Sequence, residues 1–283
     1  MFETVAIVGA GLIGASFGLA LKRAGFAGRV LGVSSTAALV AARKRGAIDE
    51  GLPLEEAVPR ADLVYLAQPI RRILETLGRL DPLVKSSALV TDAGSTKAQI
   101  VATARETLRR AQFLGGHPLA GKETRGAAEA EAGLFAGRAY VLTPLHAAEL
   151  ETPAAAEFVG WLRAIGAAPL VMDAREHDRI VAHTSHLPQL LSTALAAALT
   201  QRLADRELRV AGPGLADMTR LAASPYEIWG DILDTNRQAI EPALDALISG
   251  LRHLRAHLAD AGAAEQFRLA NQFAARLKAI RPA

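Results

Sequence analysis

Short, continuous apolar runs recur through the first half of the chain: TVAIVGA (4–10), RVLGVS (29–34), DLVYLAQ (62–68), ALVTDAG (88–94), QFLGG (112–116) and RAYVLTP (138–144). Runs this short, with no polar alternation, predict strands covered on both faces. Between them lie stretches of helical period such as LIGASFGLALKRAG (12–25) and TAALVAARKRG (36–46). Strands alternating with helices imply βαβ units and a mostly parallel sheet. A further helix, AAAEFVGWLRAIG (154–166), and a short run, APLVMD (168–173), close this first unit.

From Ala174 the pattern changes. Strand-like runs give way to long helical patterns over 178–203, 227–261 and 263–280. No repeat of 20 to 50 residues and no low-complexity linker intervenes. The expected architecture is therefore an α/β Rossmann-like domain over residues 1–173 and an all-α domain over residues 174–283. The apolar length of the second half exceeds what one small bundle needs, which predicts burial against a second copy in a homodimer.

Composition narrows the class. Apolar residues make up 51% of the chain, enough for a sizeable core, and cysteine is absent, which excludes disulfides and thiolate chemistry. No apolar stretch approaches the roughly 18 residues of a membrane span. The start of the chain carries no basic segment or cleavage site, so a cytoplasmic protein is expected. The basic residues, 26 of them arginine and six lysine, are scattered among acids, and aromatic residues total 5%. Neither a nucleic-acid surface nor a membrane surface is expected from this pattern.

The first motif is VAIVGAGLIGAS, which places Gly9, Gly11 and Gly14 in GxGxxG spacing between a strand and an amphipathic helix. Gly9 permits the tight turn, Gly11 leaves room for a pyrophosphate and Gly14 lets the helix pack on the strand. The helix N-terminus then offers free N–H groups to phosphate. Leu12 and Ile13 in the turn, and Gln68 and Pro69 after the third long run, are further candidates for contact with a dinucleotide. An NAD site usually has an acidic residue at the end of the second strand. Here that strand ends in Ser34, Ser35 and Thr36, three hydroxyls without a carboxylate, which favours NADP, with NAD as the alternative. Arg43 and Lys44 follow in the next helix.

The second motif is GGHPLAGKETRG (115–126), where His117 stands among glycines and a proline. Such punctuation predicts a loop of fixed shape. Of the seven histidines, His183 and His186 are spaced i, i+3, and with His177 or Asp178 they could ligate a metal. The alternative is a helix face packed against the sheet, and no metal is expected.

GGHPLAGKETRG, LFAGRAYVLTP, HDRIVAHTSHLPQL and DMTRLAASPYEIWGDI occur in this order. Together they resemble the prephenate/arogenate dehydrogenase family of tyrosine biosynthesis, from the glycine turn to about residue 255. The resemblance implies a Rossmann-like domain joined to a helical dimerisation domain, with the active site between them. The implied reaction is oxidative decarboxylation of prephenate or arogenate, with hydride passing to NAD(P). It places His117 beside the ring hydroxyl, a role an imidazole titrating near neutrality can fill. Ser95, in TDAGSTK, matches the family serine that bridges substrate hydroxyl, histidine and cofactor, though a serine there also suits a helix N-cap. Arg220 matches the arginine that binds a substrate carboxylate, a pairing that favours a planar guanidinium. His186 and Trp229 are expected to line the cleft, with core packing an equal reading for Trp229. Glu123, beside His117, is a candidate gate or orienting group.

The chain departs from several members at one informative position, reading SHLPQ where they read SHLPH. Gln189 thus stands where a second histidine would read the substrate side chain. A neutral amide suits either the keto acid of prephenate or the ammonium of arogenate. With the missing acid after strand two, it tilts the expectation toward arogenate with NADP. Two rivals remain. A β-hydroxyacid dehydrogenase shares the two-part plan but relies on a lysine in the helical half, where Lys278 stands alone. A non-catalytic NAD(P)-sensing protein would keep the glycine turn without needing Ser95, His117 and Arg220 together. No appended regulatory domain is expected after the last motif.

Overall fold

The computed structural model describes residues 1–122 and 124–280. Eight strands form one sheet in the order β3-β2-β1-β4-β5-β6-β7-β8. They are β1 (Thr4–Val8), β2 (Arg29–Val33), β3 (Glu50–Gly51), β4 (Leu63–Leu66), β5 (Leu89–Asp92), β6 (Gln112–Pro118), β7 (Ala139–Thr143) and β8 (Ala168–Val171). All neighbours run parallel except β6 and β7, which are antiparallel. The sheet is flanked by α1 (Leu12–Arg23), α2 (Thr36–Lys44), α3 (Leu54–Ala57), α4 (Ile70–Leu80), α5 (Ala98–Thr107) and α6 (Pro153–Ala164).

Burial on both faces explains the continuous apolar runs. Along β1, Val5 and Ile7 join Phe17 of α1 and Phe158 of α6 in one core, while Ala6 and Val8 join Ile73 and Leu77 of α4 in the other. β4 divides in the same way, Tyr65 stacking on Phe17 at 4.0 Å between ring centroids while Val64 and Leu66 face the α4 side. β8, by contrast, is an edge strand with Leu170 and Val171 exposed.

The remaining chain is helical: α7 (Ala174–Val181), α8 (Leu187–Thr200), α9 (Pro213–Thr219), α10 (Tyr226–Thr235), α11 (Arg237–Ala256) and α12 (Ala261–Ile280). The pattern over 178–203 is one helical path, but its middle, Ala182–His186, winds as a π-helix. The pattern over 227–261 splits at Asn236 into α10 and α11. No helix among the described residues is long and apolar enough to cross a membrane.

One expectation is corrected. QFLGG is a strand as its apolar run implies, but His117 and Pro118 are not in a loop; they are the last two residues of β6, with His117 opposite Val141 of β7. The two glycines serve close approach instead, since a Cβ on Gly116 would stand 2.6 Å from the Asp92 carbonyl oxygen and one on Gly115 2.3 Å from Thr143 Oγ1.

A buried ion pair locks this corner. Lys97 and Asp92 are both fully buried and in direct contact. Lys97 Nζ also donates to the Gly116 carbonyl at 2.7 Å. Asp92 accepts from the backbone N–H of Gly94 at 2.8 Å and of Gly116 at 3.0 Å. Burial pushes the Lys97 ammonium down from its ordinary value, and the Asp92 carboxylate opposes that shift. Breaking one side of such a pair leaves an uncompensated buried charge. Lys97→Met is expected to lower unfolding stability in urea by about 3–5 kcal/mol; a loss within experimental error would show that the pair adds little.

Candidate active site

The glycine turn has the shape a dinucleotide requires. Gly9 sits at φ +102°, and a Cβ there would lie 2.5 Å from the Ala67 carbonyl oxygen. A Cβ on Gly14 would lie 2.1 Å from the Gly9 carbonyl oxygen, whereas one on Gly11 would meet nothing within 4 Å. α1 begins directly after Gly11, with no side-chain cap and no acidic residue in its first turn. Free N–H groups and open space at Gly11 suit a pyrophosphate.

A cleft of about 500 Å³ opens beside this turn. Leu12, Ile13, Gln68, Pro69 and Ser95 line it, with Glu227 and Asp231 of α10 on the opposite wall. A second compartment of about 290 Å³ contains Gln189, Arg220 and Ser224. Gly121, Lys122 and Ile228 border both, so the two are continuous. Polar contacts hold α10 against α4 and the turn after β5 beside the cleft. Arg71 contacts Asp231 at 3.1 Å and Asp234 at 3.2 Å, and Thr96 Oγ1 lies 2.7 Å from Thr235 Oγ1.

His117 is the end of a hydrogen-bonded chain. Its Nδ1 lies 2.8 Å from His177 Nε2, and His177 Nδ1 lies 2.8 Å from Asp178 Oδ1. Asp178 also accepts from the backbone N–H of Lys97 at 2.7 Å and of Ala98 at 2.8 Å. A carboxylate with these partners takes the Nδ1–H of His177, leaving His177 Nε2 as an acceptor for the Nδ1–H of His117. The free lone pair of His117 is then on Nε2. Burial, followed by the neighbouring His177, Lys97 and His186, holds the His117 imidazole well below its ordinary value of 6.5. At neutral pH it is therefore uncharged and able to accept a proton.

His186 is held in the opposite sense. Asn236 Nδ2 lies 2.8 Å from the Asp178 carbonyl oxygen and 3.1 Å from His186 Nδ1, so it donates to both. The His186 proton accordingly sits on Nε2. Burial is the main force that lowers this imidazole to about 4, against the opposing carboxylate of Asp178. His186 and Trp229 meet edge to face at 5.8 Å, and Trp229 Nε1 donates to Ser224 Oγ at 2.9 Å. Like His117, they are not among the described residues bordering the cleft or its second compartment. Trp229 packs against the core on the α4 side.

The other candidates fall as follows. Ser95 borders the cleft and does not cap α5, whose first N–H groups are instead taken by Asp178. Ser35 caps α2 through Ala38 N–H at 3.4 Å, Ser34 precedes it and Thr36 begins the helix. Arg43 and Lys44 lie in the last turn of α2, about 12 Å along its axis. Glu123 lies outside the described residues. His177 and Asp178, read from sequence only as possible metal ligands, and the wholly unforeseen Lys97 and Asn236, prove to organise the site. Among the described residues, no group of three or more His, Asp or Glu side chains is placed to hold a metal.

Sheet, glycine turn and oriented imidazole define the class: a dinucleotide-binding protein of the Rossmann type with a helical second half. Residues 17–167 match the prephenate dehydrogenase nucleotide-binding domain and residues 173–274 its dimerization domain. The chain belongs to the prephenate dehydrogenase family. It is 31% identical over 268 residues to the cyclohexadienyl dehydrogenase of Zymomonas mobilis, covering 92% of this chain and 89% of that one. It is 33% identical over 239 residues to the prephenate dehydrogenase of Lactococcus lactis, covering 83% of this chain and 65%, just under two thirds, of that longer protein. Among solved structures, prephenate dehydrogenase from Aquifex aeolicus in complex with hydroxyphenyl propionate and NAD+ superposes with a TM-score of 0.88 at 28% identity, over 99% of both chains.

The depressed histidines have a consequence for stability. Unfolded imidazoles bind protons below about 6.5, while folded His186 does so only near 4 and His117 well below 6.5. Stability is thus intact above pH 6.5 and declines as pH falls from there toward 4, because the unfolded chain binds more protons. Ring NMR titration should show both imidazoles neutral at pH 6.5, and urea midpoints should drop across the same interval. A midpoint near 6.5 for either ring would contradict the buried environment described here.

Proposed function

We propose that the chain catalyses oxidative decarboxylation of a cyclohexadienyl carboxylate, with hydride passing to a nicotinamide dinucleotide. The observation that carries this reading is the His117–His177–Asp178 chain, which leaves one neutral imidazole nitrogen with a free lone pair. Family membership supplies the substrate class. A nicotinamide dinucleotide, held by the turn of Gly9, Gly11 and Gly14, would supply the acceptor for the hydride of the carbinol carbon. His117 Nε2 takes the hydroxyl proton as that carbon becomes a carbonyl. The bond to the ring carboxylate then breaks, carbon dioxide departs, and its electron pair enters the ring, which becomes an aromatic phenolate. The proton held on His117 returns to that oxygen. Aromatisation drives the sequence, and the chain has only to orient, accept a proton and bind carboxylates.

Arg220, in the second compartment, takes a substrate carboxylate, and Ser95, in the cleft, lies on the path between cofactor and reacting hydroxyl. Gln189 supports arogenate as the preferred substrate. Its amide nitrogen lies 2.8 Å from the Leu221 carbonyl oxygen and 3.2 Å from Thr193 Oγ1. The carbonyl oxygen of the amide remains to face a substrate, and an acceptor pairs with the ammonium of arogenate better than with the keto group of prephenate. The absent acid after β2 supports NADP over NAD. Exposed apolar residues along α11 and α12 and the turn between them, among them Leu251, Leu258, Phe267, Phe273 and Ile280, support a homodimer formed by the helical half, divided from the sheet near residue 173.

Reduced-nicotinamide absorbance with arogenate or prephenate, each with NAD or NADP, tests the reading; turnover is expected, fastest with arogenate and NADP, and silence in all four mixtures refutes it. His117→Ala should lower kcat by about 10²–10⁴ with little change in KM, and Arg220→Ala should raise KM roughly 10–100-fold. Full activity in either variant would remove that residue from its role. Light scattering at micromolar concentration should give twice the chain mass, and a monomer would overturn the dimer.

A further inference from the structure

A separate cavity of about 180 Å³ lies outside the C-terminal ends of β1 and β2. Val8, Val33 and Leu54 give it an apolar floor, and Arg72, Glu75, Thr76 and Arg79 of α4 form its wall. Gln68 borders both this cavity and the main cleft, and accepts from Thr76 Oγ1 at 2.9 Å. The glycine turn joins Val8, on the floor here, to Leu12 and Ile13, on the wall of the cleft. A dinucleotide with its pyrophosphate at Gly11 would extend one half into the cleft and the other into this cavity. The position is the switch point between β1 and β4, where open parallel sheets bind ligands.

A flat adenine would suit the apolar floor, and Ser34 follows Val33 directly in the chain. Ser34 carries no charge to repel or to hold a phosphate there. Arg43 and Lys44, the next cations after Ser34 along the chain, are at the far end of α2, and Arg29 is at the opposite end of β2. Two guanidinium groups do border the cavity. Arg79 is tied to Glu55 of α3 at 2.5 Å, a link between separate elements. Among the described residues Arg72 pairs with Glu75, three residues on in the same helix, at 2.8 Å, with both side chains exposed. Exposed pairs of this kind are weak and readily exchanged. A phosphate offers Arg72 the same bidentate geometry with more charge.

We infer that Arg72 of α4, together with Ser34 directly after β2, binds the 2′-phosphate of NADP, so that the positive charge that selects the cofactor comes from α4. This rests on the reading of the chain as a nicotinamide-dinucleotide enzyme that favours NADP. The test is calorimetric titration of the full chain with adenosine 2′,5′-bisphosphate and with 5′-AMP, comparing wild type, Arg72→Gln and Arg79→Gln. Wild type should bind the bisphosphate roughly tenfold or more tightly than 5′-AMP, the increment expected of a charge-assisted contact. Arg72→Gln should erase most of that ratio while 5′-AMP binding stays within about twofold, and Arg79→Gln should keep it. A wild-type ratio near one would remove the NADP preference and the inference with it. A ratio above tenfold that survives Arg72→Gln, that falls with Arg79→Gln instead, or that is accompanied by equal loss of 5′-AMP binding would overturn the role of Arg72 alone.

Discussion

The buried contact between Lys97 and Asp92 fixes the geometry on which everything else at this site depends. Asp92 ends β5 and gathers the N–H groups of Gly94 and Gly116, so the loop carrying Ser95 and the strand carrying His117 share one anchor. Lys97 completes the lock from its ammonium and, through its backbone N–H, reaches Asp178 in the helical half. One residue therefore bonds outward from both ends of its structure. The arrangement is dry, which strengthens each contact and makes each unpaired alternative expensive. It also explains Gly116 of β6, where a side chain would push the strand off this anchor, while Gly115 makes room for Thr143 of β7.

The same dry surroundings set the protonation of the site. Imidazoles in water are partly charged at neutral pH, and a charged one cannot accept a proton. Burial keeps His117 and His186 neutral, and Asp178 and Asn236 then decide which nitrogen of each carries hydrogen. The π-helical turn at Ala182–His186 lies between His177 and Gln189, altering the angular relation that a regular helix would give to the two. The contacts that bind α10 to α4 are of another kind. Arg71 with Asp231 and Asp234 is largely exposed, so added salt weakens these links while leaving the buried chain intact.

Much of this was legible in the sequence, for identifiable reasons. Strands buried on both faces write continuous apolar runs, and the glycine spacing follows from close packing at Gly9 and Gly14. β3 was not legible: two residues, Glu50 and Gly51, carry no pattern. GGHP was misread because glycine and proline signal a turn by default, whereas here they admit Asp92 and Tyr140 at short range. Lys97 gave no warning, since lysines are ordinarily solvated and its partner was five residues away on another element. His177 and Asp178 stood in view, but adjacency in sequence could not show that His117, 60 residues earlier, completes the chain. Gln189 was readable as a departure; the direction its amide faces came only from Leu221 and Thr193.

The chain from His117 to Asp178 crosses from β6 to α7, and that has a consequence for how the protein comes into being. Synthesis proceeds from the N-terminus, so the sheet and the glycine turn are made before α7 exists. At that stage a dinucleotide would find its cradle, but the imidazole beside it would be free to hold its proton on either nitrogen and to take up another from water. Docking of α7 brings His177 and Asp178 to the ring and settles its tautomer in one event. The orientation of the imidazole is thus a property of the assembled chain, and a half-made molecule has the glycine turn without it.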